Sequence, residues 1–149
     1  MARRVLAIIA AGVLATSALA GCTALSPVKT QKSYAASDGV RAQFDNLRVE
    51  NLMILTAEAG APAQVYGTLV NNSDQDATFT VQLGDAVVIE QRVSAQSQVT
   101  LPTDESEAVR GDFQPGAMVD GVVKVDGGME DVAVPVLDGT IPPYDEYLP

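Results

Sequence analysis

The single cysteine of the chain, Cys22, is the residue whose surroundings point most clearly to chemistry. Leu19, Ala20 and Gly21 precede it, and lipoprotein signal peptidases recognise this order of one aliphatic and two small residues before a cysteine. We therefore expect a palmitate-type diacylglyceryl lipid on the Cys22 thiol and cleavage at its amino side. The alternative is a chance cysteine in a segment rich in alanine and glycine.

The residues before Cys22 have the organisation of an export signal. Arg3 and Arg4 form a basic start, and the apolar run 5–20 follows them. This run falls short of the roughly 20 well-apolar residues that a spanning helix needs. The sequence thus predicts a lipoprotein signal peptide at 1–21, and a protein that is lipid-anchored to the cell membrane on its extracytoplasmic side.

Charge and missing residue types limit the functions that remain. The precursor carries a net charge of −10, and loss of Arg3 and Arg4 would change this to −12. Such a charge disfavours nucleic acid, whose affinity depends on lysine and arginine. Histidine is absent, so histidine-based triads and metal sites are excluded. No glycine-rich phosphate motif follows a predicted strand, so a nucleotide is not expected.

Methionine is the remaining soft ligand type. Met53, Met118 and Met129 could together bind Cu(I), which favours thioethers. The alternative is core filling, because methionine packs into irregular gaps and Met53 lies in an apolar run. We predict no resident cofactor and no metal, and keep these three methionines as the alternative copper site.

Carboxylates and one asparagine motif give further candidates. Acidic residues cluster at 74–76, 104–107 and 130–131, but none of these runs has the ligand spacing of a calcium loop. Solvated loop charge is the simpler interpretation, and no catalytic residue is predicted. Asn71-Asn72-Ser73 matches a glycosylation pattern, but a turn is the preferred interpretation because asparagine tolerates left-handed geometry.

Short apolar runs rich in β-branched residues dominate the chain after Val40, and turn residues separate them. No convincing helical period appears in the mature chain. These features predict an all-β fold, a single immunoglobulin-like antiparallel β-sandwich of about seven strands. The predicted strands are 48–55, 63–70, 78–83, 86–90, 97–101, 119–125 and 131–137, the last two joined by the Asp126-Gly127-Gly128 turn.

The chain after the signal divides into three parts. Removal of 21 residues from 149 leaves 128, which suits one domain. Residues 22–38 lack periodicity and are predicted to be a lipidated flexible tether. The sandwich is predicted at 39–138. Residues 139–149 are predicted to be an extended acidic tail, which could be a docking peptide or a disordered terminus.

The layout resembles actinobacterial envelope lipoproteins of the LpqE type. The resemblance covers most of 34–138 and depends on the stretches 34–40, 48–54, 67–72 and 132–136. It implies an immunoglobulin-like or cupredoxin-like sandwich, with the respiratory supercomplex as a partner. The layout is also similar to periplasmic copper chaperones of the PCuAC type, but those use histidine and methionine, and this chain has no histidine.

Taken together, these observations predict a non-enzymatic accessory or binding module. It would be attached to the membrane through the lipid on Cys22 and would bind an envelope or membrane protein complex. The alternative function is an extracytoplasmic copper-handling chaperone that uses Met53, Met118 and Met129.

Overall fold

Eight segments rich in valine, threonine and other strand-forming residues build the fold. The computed structural model describes residues 37–85 and 87–149, and these form an all-β arrangement with one 3-10 turn at Tyr144–Tyr147. The strands are β1 (Val40–Phe44), β2 (Leu47–Thr56), β3 (Ala63–Asn71), β4 (Ala77–Leu83), β5 (Val87–Val93), β6 (Ser97–Leu101), β7 (Met118–Val125) and β8 (Gly128–Leu137). Among the described residues, no helix has the length and hydropathy of a membrane span.

The strands form two layers that share β8. The order is β5-β4-β7-β8-β2-β3-β6, and β1 pairs with β2 beside this path. Residues Gly128–Pro135 of β8 pair antiparallel with β7, whereas Val136 and Leu137 pair in parallel with Ile54 and Leu55 of β2. These last residues of β8 extend beyond Met118, where β7 begins, and so join the two layers. The predicted all-β sandwich is confirmed, and it approaches a closed barrel.

The core lies between the two layers and follows the alternation of the strands. Phe79, Val81 and Leu83 of β4 point inward and are buried, while the residues between them are not. Phe79 is the largest of the fully buried side chains. Each Å² of apolar surface buried on folding contributes about 25 cal/mol of favourable free energy, so this interior is the main source of stability.

Strand β2 contains a bulge that positions the start of β1. The pairing of β2 with β3 shifts register between Glu50 and Met53, and Asn51 adopts a positive φ of 54° there. The Gly39 N–H donates a 2.9 Å hydrogen bond to Asn51 Oδ1. A Cβ at Gly39 would lie 2.4 Å from the Asn51 carbonyl carbon, so this close approach requires glycine.

The two ends of the domain are formed by different segments of the chain. We call one the hairpin end, and it bears the turns 45–46, 72–76, 94–96 and 126–127. We call the other the terminal end, because Asp38 and residues 139–149 lie there. The Asp126-Gly127 turn between β7 and β8 has positive φ at both residues, as a tight two-residue hairpin requires.

Candidate binding surfaces

The predicted lipid site is outside the part of the chain that the structure describes. The structure does not describe residues 1–36, which include Cys22, the predicted signal peptide and the predicted tether up to residue 36. The described chain reaches the fold at Asp38 and Gly39, immediately before β1. The lipid attachment at Cys22 therefore remains a prediction from the sequence.

The structure does not bring the three methionines together. Met53 is buried in β2, with 6% of its surface exposed. Met118 and Met129 are exposed by 57% and 66% and lie near opposite ends of the β7–β8 hairpin. Met129 pairs with Lys124, which lies six residues after Met118, or about 20 Å along an extended strand.

Two of the three acidic clusters, at 74–76 and 130–131, contain a carboxylate that makes contacts within the fold. Asp76 pairs with Arg92 at 2.8 Å, and its other carboxylate oxygen accepts the Ala95 N–H at 2.9 Å. Glu130 accepts the Gln43 N–H at 2.9 Å and so connects β8 to β1. Among the described residues, no group of three or more His, Cys, Asp or Glu side chains could hold a metal ion.

The hydrogen bonds to Asp76 also affect its titration. The donated Ala95 N–H, followed by the Arg92 guanidinium, lowers the pKa of Asp76 below its ordinary value. A lowered pKa means that the contacts favour the charged form, so their contribution is present above the ordinary value. It is lost as pH falls through the lowered pKa, in the acid range.

Asn71 has a structural role that the sequence did not reveal. Its side chain is fully buried at the end of β3, where Nδ2 donates to the carbonyl oxygens of Gln75 (2.8 Å) and Val93 (3.1 Å). Its Oδ1 accepts from the N–H and the hydroxyl of Ser73. The predicted turn does follow Asn71, and the hydrogen bonds of the Asn71 side-chain amide hold the turn in place. Asn71 itself does not adopt the left-handed geometry that the sequence suggested, because its φ is not positive.

The C-terminal segment packs against the domain. The Tyr66 hydroxyl donates a 2.6 Å hydrogen bond to the Tyr147 carbonyl, and the two rings meet edge to face with centroids 6.0 Å apart. The Tyr144 hydroxyl binds the Asp38 carboxylate. Residues 139–149, predicted to be an extended tail, thus contain a 3-10 turn and contact both β3 and the start of the domain.

These contacts predict a late titration of two tyrosines. Burial, followed by the charge of Tyr147, raises the pKa of Tyr66 above its ordinary 10.0, and the hydrogen bond to Asp38 raises the pKa of Tyr144. A raised pKa means that the folded state favours the neutral phenol. Its contribution is complete below pH 10 and is lost as pH rises through the raised pKa.

We expect alkaline titration, followed by tyrosinate absorbance, to show two late components. Tyr66→Phe and Tyr144→Phe should each remove one of them. The tail should also become more sensitive to carboxypeptidase digestion above pH 10, since the phenol donors are lost there. Ordinary titration of both tyrosines in the folded protein would contradict the packing of the tail.

An open seam separates the two outermost strands, β5 and β6. Residues 94–96 connect these strands at the hairpin end, but no backbone ladder joins β5 to β6. Toward the terminal end lies a groove of about 230 Å³, lined by Val65, Val88, Ile89 and Leu101 with Glu107 at its margin. Val88 is 63% exposed, so the sheet presents an apolar side chain to solvent here.

Comparison with known proteins adds no family to this description. No family model matches the chain, and no curated protein matches it in sequence. The residues of the chain and the contacts described above therefore carry the functional inferences that follow.

Proposed function

We propose that the protein is a non-enzymatic lipoprotein, anchored through Cys22 on the extracytoplasmic side of the cell membrane. It serves as a binding or accessory module for an envelope protein complex. The observation that carries this proposal is the order Leu19-Ala20-Gly21-Cys22 after the basic and apolar run of the first 20 residues. This order is specific because lipid transfer and cleavage both need the small residues before a thiol.

Several carboxylates are engaged in contacts within the fold. Glu50 bridges Arg41 and Arg48 at 2.7 and 3.0 Å, across β1 and β2. Asp76 and Glu130 accept hydrogen bonds from the backbone. These carboxylates hold strands together, so the proposal assigns them a structural role.

Membrane attachment would make a modest interface sufficient. Two acyl chains give stable anchoring, whereas a single chain binds only marginally. An anchored domain is confined near the bilayer, so its effective concentration toward a membrane complex is high. The net charge of −12 expected for the mature chain keeps the domain away from acidic headgroups. Within the resemblance to LpqE-type lipoproteins, the respiratory supercomplex is the partner to test first.

We expect Cys22→Ser to abolish lipidation and cleavage almost completely. The variant should then be found as the uncleaved precursor or be lost from the membrane fraction. Intact mass spectrometry of the wild-type protein should show cleavage before Cys22 and the added mass of a diacylglyceryl group. Ser26→Ala is the matched control, because it changes a neighbouring hydroxyl and leaves the cleavage motif intact.

Crosslinking in native membranes tests the second part of the proposal. We expect a reproducible crosslink to an integral membrane complex that Cys22→Ser abolishes and Ser26→Ala preserves. An unmodified thiol on an uncleaved or secreted chain would disprove the anchor. A lipidated protein without any crosslink above background would disprove the accessory role.

A further inference from the structure

We propose that the seam between β5 and β6 binds an extended, basic segment of a partner protein by strand addition. This inference rests on the proposed function as a binding module and names the surface and the kind of partner. The seam consists of the outer edge of β5 and the apolar groove beside Val88 and Leu101.

In the described part of the chain, β5 is an edge strand, and only the carbonyl groups of Arg92 and Val93 near its end accept side-chain hydrogen bonds. β5 pairs with β4 along its whole length, from Val87 with Leu83 to Val93 with Ala77. Within the described residues, no strand pairs with its opposite edge. An unpaired edge presents a row of N–H and C=O groups, and an extended peptide can satisfy them as an added strand.

The groove suits side chains of an extended segment. Val88 is exposed, and Ile89, Val65 and Leu101 form an apolar wall beside it. Its volume of about 230 Å³ is below the roughly 300–1,000 Å³ typical of pockets for small molecules. A strand on the edge of β5 would place alternate side chains toward this wall, which gives the added strand its register.

Charge around the groove selects a basic partner. Glu107 lines the groove, and the exposed loop before it carries Asp104 and Glu105, whereas Arg110 is the only basic residue of 102–112. Glu90 is exposed on β5 itself, and the exposed Arg92 two residues later is paired with Asp76. A second copy of this acidic chain would be repelled, so edge-to-edge self-association is disfavoured. Complementary charge favours a segment that carries lysine or arginine.

The position of the groove at the terminal end of the domain is a further argument for a membrane-protein partner. The pairing of Ala63 with Val109 and of Ala63 with Thr56 places the loop beside the groove at the terminal end of the domain. Asp38 lies at that same end. A tether that enters there would keep the groove within reach of an extracytoplasmic segment of an integral protein.

The test uses the full chain in detergent and three labelled ten-residue peptides, followed by fluorescence anisotropy. One alternates valine with lysine, the second alternates valine with glutamate, and the third is the first with N-methyl groups on alternate residues. We expect the glutamate and N-methylated peptides to bind at least about tenfold more weakly, because they lack the charge or the backbone donors.

Variants locate the site. Val88→Lys and Glu107→Lys should each weaken binding of the valine–lysine peptide by about tenfold or more. Met129→Lys and Asp131→Lys are the matched controls, because they replace one exposed apolar and one exposed acidic residue of β8, away from the seam, with lysine. Circular dichroism of every variant confirms that the fold is retained.

Two results would overturn the inference. Equal binding of the N-methylated peptide would show that no strand is added, and equal losses in the β8 controls would show unspecific charge attraction. Either failure leaves the Cys22 experiment unaffected, because that experiment reads membrane attachment and crosslinking. Conversely, an unmodified Cys22 would leave peptide binding at the seam intact.

Discussion

Replacing Phe79 with alanine should lower the free energy of unfolding by about 3–5 kcal/mol. Phe79 lies in β4, paired with Gln91 of β5 and Val125 of β7, and its ring is fully buried. Its removal takes a large apolar surface from the core and leaves a cavity that strands on both sides prevent from closing. Urea denaturation followed by far-ultraviolet circular dichroism measures the loss.

Phe44→Ala is the matched control for this prediction. Phe44 is only half-buried at the end of β1, where it packs against the margin of the core. We expect its truncation to cost clearly less than that of Phe79, since less apolar area leaves contact with protein. Equal losses from the two truncations would show that Phe79 is not at the centre of the core.

Asn71→Ala is expected to have the second largest effect, a loss of about 2–4 kcal/mol. The buried amide makes hydrogen bonds to Gln75, Val93 and Ser73, and these hold the β3–β4 turn against the end of β5. Without it, the Val93 carbonyl oxygen loses a donor in a buried place. An unsatisfied buried acceptor costs more than the hydrogen bond itself is worth.

Asn72→Ala provides the comparison, because Asn72 is adjacent and exposed. We expect its effect on the free energy of unfolding to stay within about 0.5 kcal/mol. Asn71→Asp should be as harmful as Asn71→Ala, since a carboxylate cannot donate to two carbonyl oxygens. A tolerated Asn71→Asp would contradict the hydrogen-bond assignment.

Much of the fold was predictable from alternation and turn residues. The alternation of Phe79, Val81 and Leu83 marks one buried face of β4, and the Asp126-Gly127 pair marks the β7–β8 hairpin. Each of the seven predicted strands corresponds to a strand of the structure, with bounds that differ by up to three residues. Local pattern is informative for strands such as β4, in which alternate residues are buried, whereas in β2 the run 52–56 is buried on both faces.

Other features depend on contacts that no local pattern encodes. β1 is short and its pairing is irregular at the Asn51 bulge, so the sequence showed no separate strand there. The parallel pairing of Leu55 with Leu137 joins residues far apart in the chain. Asparagine is a common residue type in turns, so the sequence does not distinguish Asn71. Its buried hydrogen bonds appear only in the structure.

The candidate surfaces were harder to predict than the fold. Sequence alone could not show that Met118 and Met129 are separated along a hairpin or that Met53 is enclosed. The seam arises from the order of strands in space, which places β5 and β6 at the two ends of the path. An exposed valine such as Val88 looks ordinary until that order is known.

The bond between Tyr144 and Asp38 brings the entry and the exit of the domain side by side. A fluorophore fused after Pro149 would consequently lie near Asp38, where the described chain enters the domain. One inserted at the Asp126-Gly127 turn would lie at the hairpin end, on the far side of the domain. Two labels at these positions would report the two ends of the domain separately in any measurement of distance to another molecule.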